Sequence, residues 1–313
     1  MRDKNRLPGV SWSVMVLTRQ FVLLLLIVLG MACEHSSAES VTNVSLPLET
    51  RRGHLYIRAN MKGTATPVNL MLDTGFTITT LKPELAEALP LRKTGHTTIM
   101  GISGKEEAPV YDGAEFLFGN LSYVPRRVAA LPSDRGSRRT DGILGAGFFR
   151  RFVVELDGSF ARLYEPTNFH YAGPGEIIPL KLIRQTPVIE ALLPLPNRDP
   201  VRGRFEIDTG CTGCLCLGSE FVKAHQLLEA AGETAGSNRQ GVGGGASTLE
   251  GHLPQLQLGN FKINHPSVSF FREGSPAEPG LAGHVGWEAL RRFKVILDYS
   301  RQQMILEPLS GTQ

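Results

Sequence analysis

From His54 to Met61 the chain alternates, with Leu55, Ile57, Ala59 and Met61 on one side and mostly polar or amphipathic residues on the other. A period of two is the mark of a half-buried strand. Gly63 then supplies a turn, and a second apolar run leads from Val68 into Asp73, so the two stretches read as a hairpin. A short strand and a short helix are expected after each of two apolar runs. The first helix spans Pro83 to Leu89, with proline at its opening position, and the second spans Ser219 to Ala230, with Ser219 as N-cap. Short helical turns followed by strands, Phe152 to Leu156 and Phe293 to Leu297, close the two stretches. The pattern predicts a mostly β chain.

The same landmarks occur twice in the same order, and this is the most informative property of the sequence. Val68-Asn69-Leu70-Met71-Leu72-Asp73-Thr74-Gly75 is echoed by Gly203-Arg204-Phe205-Glu206-Ile207-Asp208-Thr209-Gly210, 135 residues on. Gly101-Ile102-Ser103-Gly104 pairs with Gly241-Val242-Gly243-Gly244, and Gly119-Asn120-Leu121 with Gly259-Asn260-Phe261, both at a spacing of 140. Gly142-Ile143-Leu144-Gly145 pairs with Gly283-His284-Val285-Gly286, and Arg150 to Asp157 with Arg291 to Asp298, both at 141. So steady a spacing predicts two copies of one domain, residues 39–170 and 171–313. The break falls where Tyr171-Ala172-Gly173-Pro174-Gly175 interrupts the pattern.

Residues 1–38 read as an export signal and short spacer. Phe21 to Ala32 is apolar for 12 residues, too short to span a bilayer, and lies between Arg19 and a polar run. Met15 would give a more ordinary start. Leu29-Gly30-Met31-Ala32-Cys33 places Cys33 where a lipoprotein is cleaved and lipidated; cleavage after Ala38 is the competing outcome. The expectation is an exported chain in the periplasm or cell envelope, with membrane attachment through a lipidated Cys33.

Charge then removes one class of partner. The formal charge of +3 is carried by the first 32 residues, and the remaining body is neutral, which gives no reason to expect nucleic acid. Arg126, Arg127, Arg135, Arg138 and Arg139 form a basic stretch broken by turn residues, and it reads as a solvated loop.

The candidate chemistry sits in the repeated D-T-G. An aspartate ending an apolar strand loses hydration unless it is paired or hydrogen-bonded. One such residue per copy suggests the pairing: two facing carboxylates cannot both ionise at close range, and so share one proton, for which aspartic proteases are the standard example. The ionised member, Asp73 or Asp208, takes a proton from water while the other polarises a peptide carbonyl. Gly75 and Gly210 allow close backbone approach, and Thr74 and Thr209 are placed to hydrogen-bond across the axis. A given tripeptide arises by chance in roughly one chain in twenty of this length. Two copies in register exclude coincidence.

These residues, with Ile143-Leu144-Gly145 and His284-Val285-Gly286, resemble the retroviral-type (retropepsin-like) aspartic peptidases, in a form found as exported bacterial proteins. The resemblance covers about residues 45–308. It implies two acid-protease β-barrel lobes about a pseudo-twofold axis, catalytic Asp73 and Asp208, a second motif packed behind each D-T-G loop, and an extended peptide or protein substrate. It also implies two flaps, at Gly101, Ile102, Ser103 and Gly104 and at Gly241, Val242, Gly243 and Gly244. With both halves in one chain, a monomer suffices for an active site. No cofactor or metal is expected.

The pattern departs from the family in three places. Phe76 and Cys211 follow the two D-T-G motifs where a small residue is usual, and Phe76 stands to crowd the cleft or reshape a specificity pocket. His284 replaces an apolar residue and reads as a hydrogen-bonded structural histidine. Cys211, Cys214 and Cys216 form C-x-x-C-x-C with no neighbouring ligand to complete a metal site, leaving buried thiols or one disulfide. The alternative function is a catalytically silent peptide-binding or envelope-interaction protein on the same fold.

Overall fold

The computed structural model describes residues 43–102, 104–132 and 140–309. The predicted export segment with Cys33, the flap candidate Ser103, and Arg135, Arg138 and Arg139 lie outside the described residues.

The alternating stretch forms the strand His54–Met61, paired antiparallel to Val68–Leu72 with Ile57 opposite Leu70. Val68–Leu72 is sandwiched in a ten-stranded sheet, with Gly142–Leu144 parallel on its other side and Leu144 beside Leu72. The second half builds a ten-stranded sheet around Val201–Asp208, which has Gly283–Gly286 parallel beside it and Thr186–Leu193 antiparallel on the other side. Strand for strand the two sheets have the same order. Both central strands become buried on both faces toward their ends, Leu70–Leu72 and Phe205–Asp208, where each pairs in parallel and reaches its aspartate.

A third sheet joins the lobes, which the sequence reading did not foresee. Its order is Asn43–Pro47, Phe160–Tyr164, Val153–Leu156, Phe293–Asp298, Gln303–Pro308 and Glu176–Pro179. The seam runs between the halves, with Val154 opposite Leu297 and Leu156 opposite Val295. Val153–Leu156 and Phe293–Asp298 are buried at nearly every position because both of their faces are covered. Val154, Leu156, Val295 and Leu297 belong to the core cluster that reaches into both lobes, while Val153, Ile296 and Ile305 pack with Phe169 on the opposite face. The glycine-rich break at residues 171–175 falls just before Glu176–Pro179, the strand that opens the second half.

The helices are short. Pro83–Ala88 opens on its proline as expected. The predicted Ser219–Ala230 helix is instead two pieces, Ser219–Ala224 and Leu227–Ala231, separated at Gln226, whose φ of 48° is left-handed. Gly218 is the cap residue and Ser219 lies inside the first turn, so the N-cap assignment to Ser219 is corrected. The serine does not cap because Gly218 already has the extended conformation that a cap requires.

Candidate active site

The D-T-G turns at the ends of the two central strands meet. In the first turn Gly75 N–H donates to Asp73 Oδ1 at 3.0 Å; in the second Gly210 N–H donates to Asp208 Oδ1 at 2.9 Å. The turns are closed alike, by Phe76 N–H to Asp73 C=O and Cys211 N–H to Asp208 C=O, both 3.2 Å. Such bonds to backbone N–H groups are what allow a carboxylate to stay ionised away from bulk water.

The threonines lock one turn to the other. Thr74 N–H donates to Thr209 Oγ1 at 3.1 Å and Thr209 N–H to Thr74 Oγ1 at 3.0 Å. Each hydroxyl donates in turn to the strand behind the opposite aspartate, Thr74 to Ile207 C=O at 2.5 Å and Thr209 to Leu72 C=O at 3.0 Å. Both threonines are fully buried, so every one of these groups depends on its partner.

The approach is close enough to require glycine. A Cβ on Gly75 would lie 2.9 Å from Asp208 Oδ1, and one on Gly210 would collide with the carboxyl of Asp73. Each carboxyl therefore lies against the glycine of the opposite turn. Each is almost wholly covered, at 5% exposure for Asp73 and 8% for Asp208. Behind the turns stand Gly145 and Gly286: a Cβ on Gly145 would lie 2.5 Å from Phe76 C=O, and one on Gly286 2.6 Å from Cys211 C=O.

Both glycine-rich stretches are hairpin ends. Arg92–Gly101 pairs with Gly104–Asp112, and Ala235–Gly241 with Gly244–His252. Their tips interlock: Gly101 lies against Val242 C=O, Gly104 against Gly243, and Gly241 against Ile102. Val242 also reaches the first lobe's small apolar cluster of Ile99, Ala108, Val110, Ala129 and Leu131. Asp73, Asp208 and residues of both tips line one cleft of about 1470 Å³.

A strand-end carboxyl pair beneath hairpins is the setting in which residues 57–148 match the aspartyl protease family model. The first lobe is similar to the aspartyl protease family. Beyond that lobe, the fold is similar to that of an aspartic proteinase from Irpex lacteus, with a TM-score of 0.59 and 14% identity, covering 87% of this chain and 98% of that one. That likeness is one of fold, and it extends to the second lobe. Curated proteins offer no sequence match.

Against the aspartyl protease pattern, the two walls behind the acids differ. Behind Asp73 the wall is apolar: Tyr56, Met71 and Ile143 cluster with Phe76. Phe76 also packs on the Ile99 cluster while lining the cleft, so its bulk forms part of the cleft wall. Behind Asp208 the wall is ionic. Strand pairing sets His284 beside Glu206, its Nδ1 2.8 Å from Asp208 Oδ2 and its Nε2 3.1 Å from Glu206 Oε2.

Burial opposes charge on both partners, but each other's charge overrides it. The imidazole of His284 is held well above its ordinary range by Asp208, Cys211 and Glu206, and Asp208 is held below the usual carboxylate range by His284, Gly210 N–H and Asp73. Sequence reasoning assigned His284 a structural role and missed this contact. The signal was available: His284 and Glu206 stand two landmarks apart where the first copy has Ile143 and Met71.

Three cysteines are among the described residues, none in a disulfide. Cys211 and Cys216 meet with their sulfurs 3.1 Å apart, whereas Cys214 is buried in the main core. The hydrogen bond from Cys211, which outweighs burial, holds the Cys216 thiol below its ordinary range, and Arg239 assists. The same bond, together with burial, pushes Cys211 well up. His284, remote in sequence, gives the cysteines the neighbour that the linear motif lacked: Asp208, Cys211 and His284 offer ligand-type atoms all within 4.8 Å. The 2.8 Å separation of Nδ1 and Oδ2 is nevertheless that of a direct hydrogen bond, in which the two atoms spend their lone pair and proton on each other.

Proposed function

We propose that the chain is an aspartic endopeptidase in which Asp73 and Asp208 share one proton and activate a water for attack on a peptide carbonyl. The observation that carries the reading is the mutual grip of Thr74 and Thr209, which holds two buried carboxyl groups, each bonded to a backbone N–H of its own turn, in the lining of one cleft. Water is the nucleophile: the ionised carboxylate accepts its proton, the protonated one donates to the carbonyl oxygen, and no covalent intermediate forms. An extended substrate lies between the acids and the two hairpins, whose closure excludes water and offers backbone hydrogen bonds. Both acids come from one chain, which supports a site complete in a single copy.

Replacing Asp73 or Asp208 by Asn tests the reading. Each variant is expected to lose cleavage of a mixed peptide library by about 10²-fold or more with an unchanged circular-dichroism spectrum; undiminished turnover in either would refute it.

Export and anchoring through Cys33 form the second part of the proposal and rest on the sequence of residues 1–38. Mass spectrometry of the mature N-terminus tests it: a lipid-modified Cys33 supports the anchor, and a free chain beginning at Glu39 excludes it.

A further inference from the structure

Two aspartates that share a proton are interchangeable when their surroundings match. Here they do not match. The strand position before Asp73 by two residues is Met71 and its parallel neighbour is Ile143; the same two places before Asp208 are Glu206 and His284. His284 is 7% exposed and lies between two carboxylates, 2.8 Å from Asp208 and 3.1 Å from Glu206. Glu206 is fixed in turn by the backbone N–H of Glu278 at 2.8 Å. A buried imidazole between two acids is stable as the imidazolium, since the neutral ring would leave two carboxylates facing each other in a site short of water.

The remaining groups around the ring fit this account. Cys216 lies opposite His284 on the antiparallel strand Leu215–Leu217, Cys211 comes within 4.8 Å of the ring from the turn, and Arg239 of the hairpin strand Ala235–Gly241 stands near Cys216. On the far side of Asp208 is Asp73, backed by Tyr56, Met71, Ile143 and Phe76. The second lobe therefore supplies the ionic surroundings and the first lobe the apolar ones.

Resting on the aspartic peptidase reading, we propose that His284 is a positioning residue that keeps the dyad's negative charge on Asp208 and its proton on Asp73. Asp208 is then the base that receives the water's proton, and Asp73 the acid that polarises the carbonyl. Pairs of titratable groups whose environments differ in this way divide into acid and base. Glu206 places a second carboxylate 3.1 Å from the ring's other nitrogen, on the side away from Asp208.

The test compares pH profiles of kcat/KM for the wild type and the double variant Glu206→Met, His284→Ile, which gives the second lobe the first lobe's residues; His284→Gln is the alternative if the double variant does not fold. Losing the imidazolium removes what keeps Asp208 ionised in acid. The acidic limb is therefore expected to move to higher pH, with about tenfold loss at pH 3.5 and less than threefold at pH 5.5, one pH unit on a limb being a factor of ten. Superimposable profiles would overturn the assignment. A wild type that cleaves nothing would refute the peptidase reading instead, and the ring state is then read directly by NMR of protein labelled with ¹⁵N-histidine. His284 is expected to carry both ring protons at pH 7.5 in the wild type and to lose one by that pH in Asp208→Asn. A ring that titrates alike in both proteins overturns the proposal.

Discussion

Thr74 and Thr209 each give a backbone N–H to the other's hydroxyl, so that neither D-T-G turn can shift without breaking bonds in the opposite lobe. Thr209→Ala would strand two buried groups, Thr74 N–H and Leu72 C=O. The expected cost is about 1–3 kcal/mol of unfolding free energy, measured by urea titration, with a larger proportional fall in kcat than in stability because the acids move. A variant as stable as the wild type would show that the bonds are replaced.

Stability should depend on pH through the ion pair behind Asp208. Asp208 is held low, so its contribution is present above the ordinary carboxylate range and fades as pH drops through its own lower value. His284 is held high, so its contribution is whole below the ordinary imidazole range and fades as pH rises through its raised value. Together they give a plateau between about pH 4 and 6.5. Urea midpoints for His284→Gln are expected to be lower across that plateau and to approach those of the wild type at alkaline pH. Parallel curves would mean that the pair adds nothing to stability.

The interlocked hairpins predict a kinetic effect with little change in stability. Gly101→Val places side-chain atoms where Val242 C=O lies and separates the tips. Unfolding free energy is expected to stay within about 1 kcal/mol, since the change is at a hairpin end. Cleavage should suffer in kcat and KM together, with kcat/KM lowered about tenfold. Unaltered kinetics would remove the hairpins from the catalytic cycle.

Oxidation should be selective. The sulfurs of Cys211 and Cys216, 3.1 Å apart, need to close by about 1 Å to bond, whereas Cys214 is packed into the main core. Mild treatment with a disulfide oxidant is expected to remove two hydrogens and two thiols, and peptide mapping should locate the bridge at Cys211–Cys216. A bridge to Cys214 would contradict the structure.

Much of this was legible in the sequence because period and register are local properties. The alternation from Leu55 to Met61 could only be a strand with one covered face, and the recurrence of D-T-G at a steady spacing located both acids and both glycine-rich tips. Three things were not legible. The joining sheet escaped because Val153–Leu156 and Phe293–Asp298 read equally well as strands of separate lobes, and only three-dimensional closure pairs Val154 with Leu297. The break at Gln226 escaped because the apolar spacing continues across it while a single left-handed residue resets the helix. The role of His284 escaped because its partner is set by parallel pairing with a strand about eighty residues earlier, and a one-dimensional search for ligands looks only nearby.

The seam at Val154 and Leu297 also determines what each half would be on its own. Were the chain divided near residue 172, either fragment would carry a bare ladder of N–H and C=O groups along Val153–Leu156 or Phe293–Asp298, the edge that its missing sister normally covers. Such an edge recruits whatever matching strand is at hand, and the nearest is the same strand of an identical fragment. Severed halves should accordingly be recovered as pairs, homotypic or reunited, and not as single folded lobes.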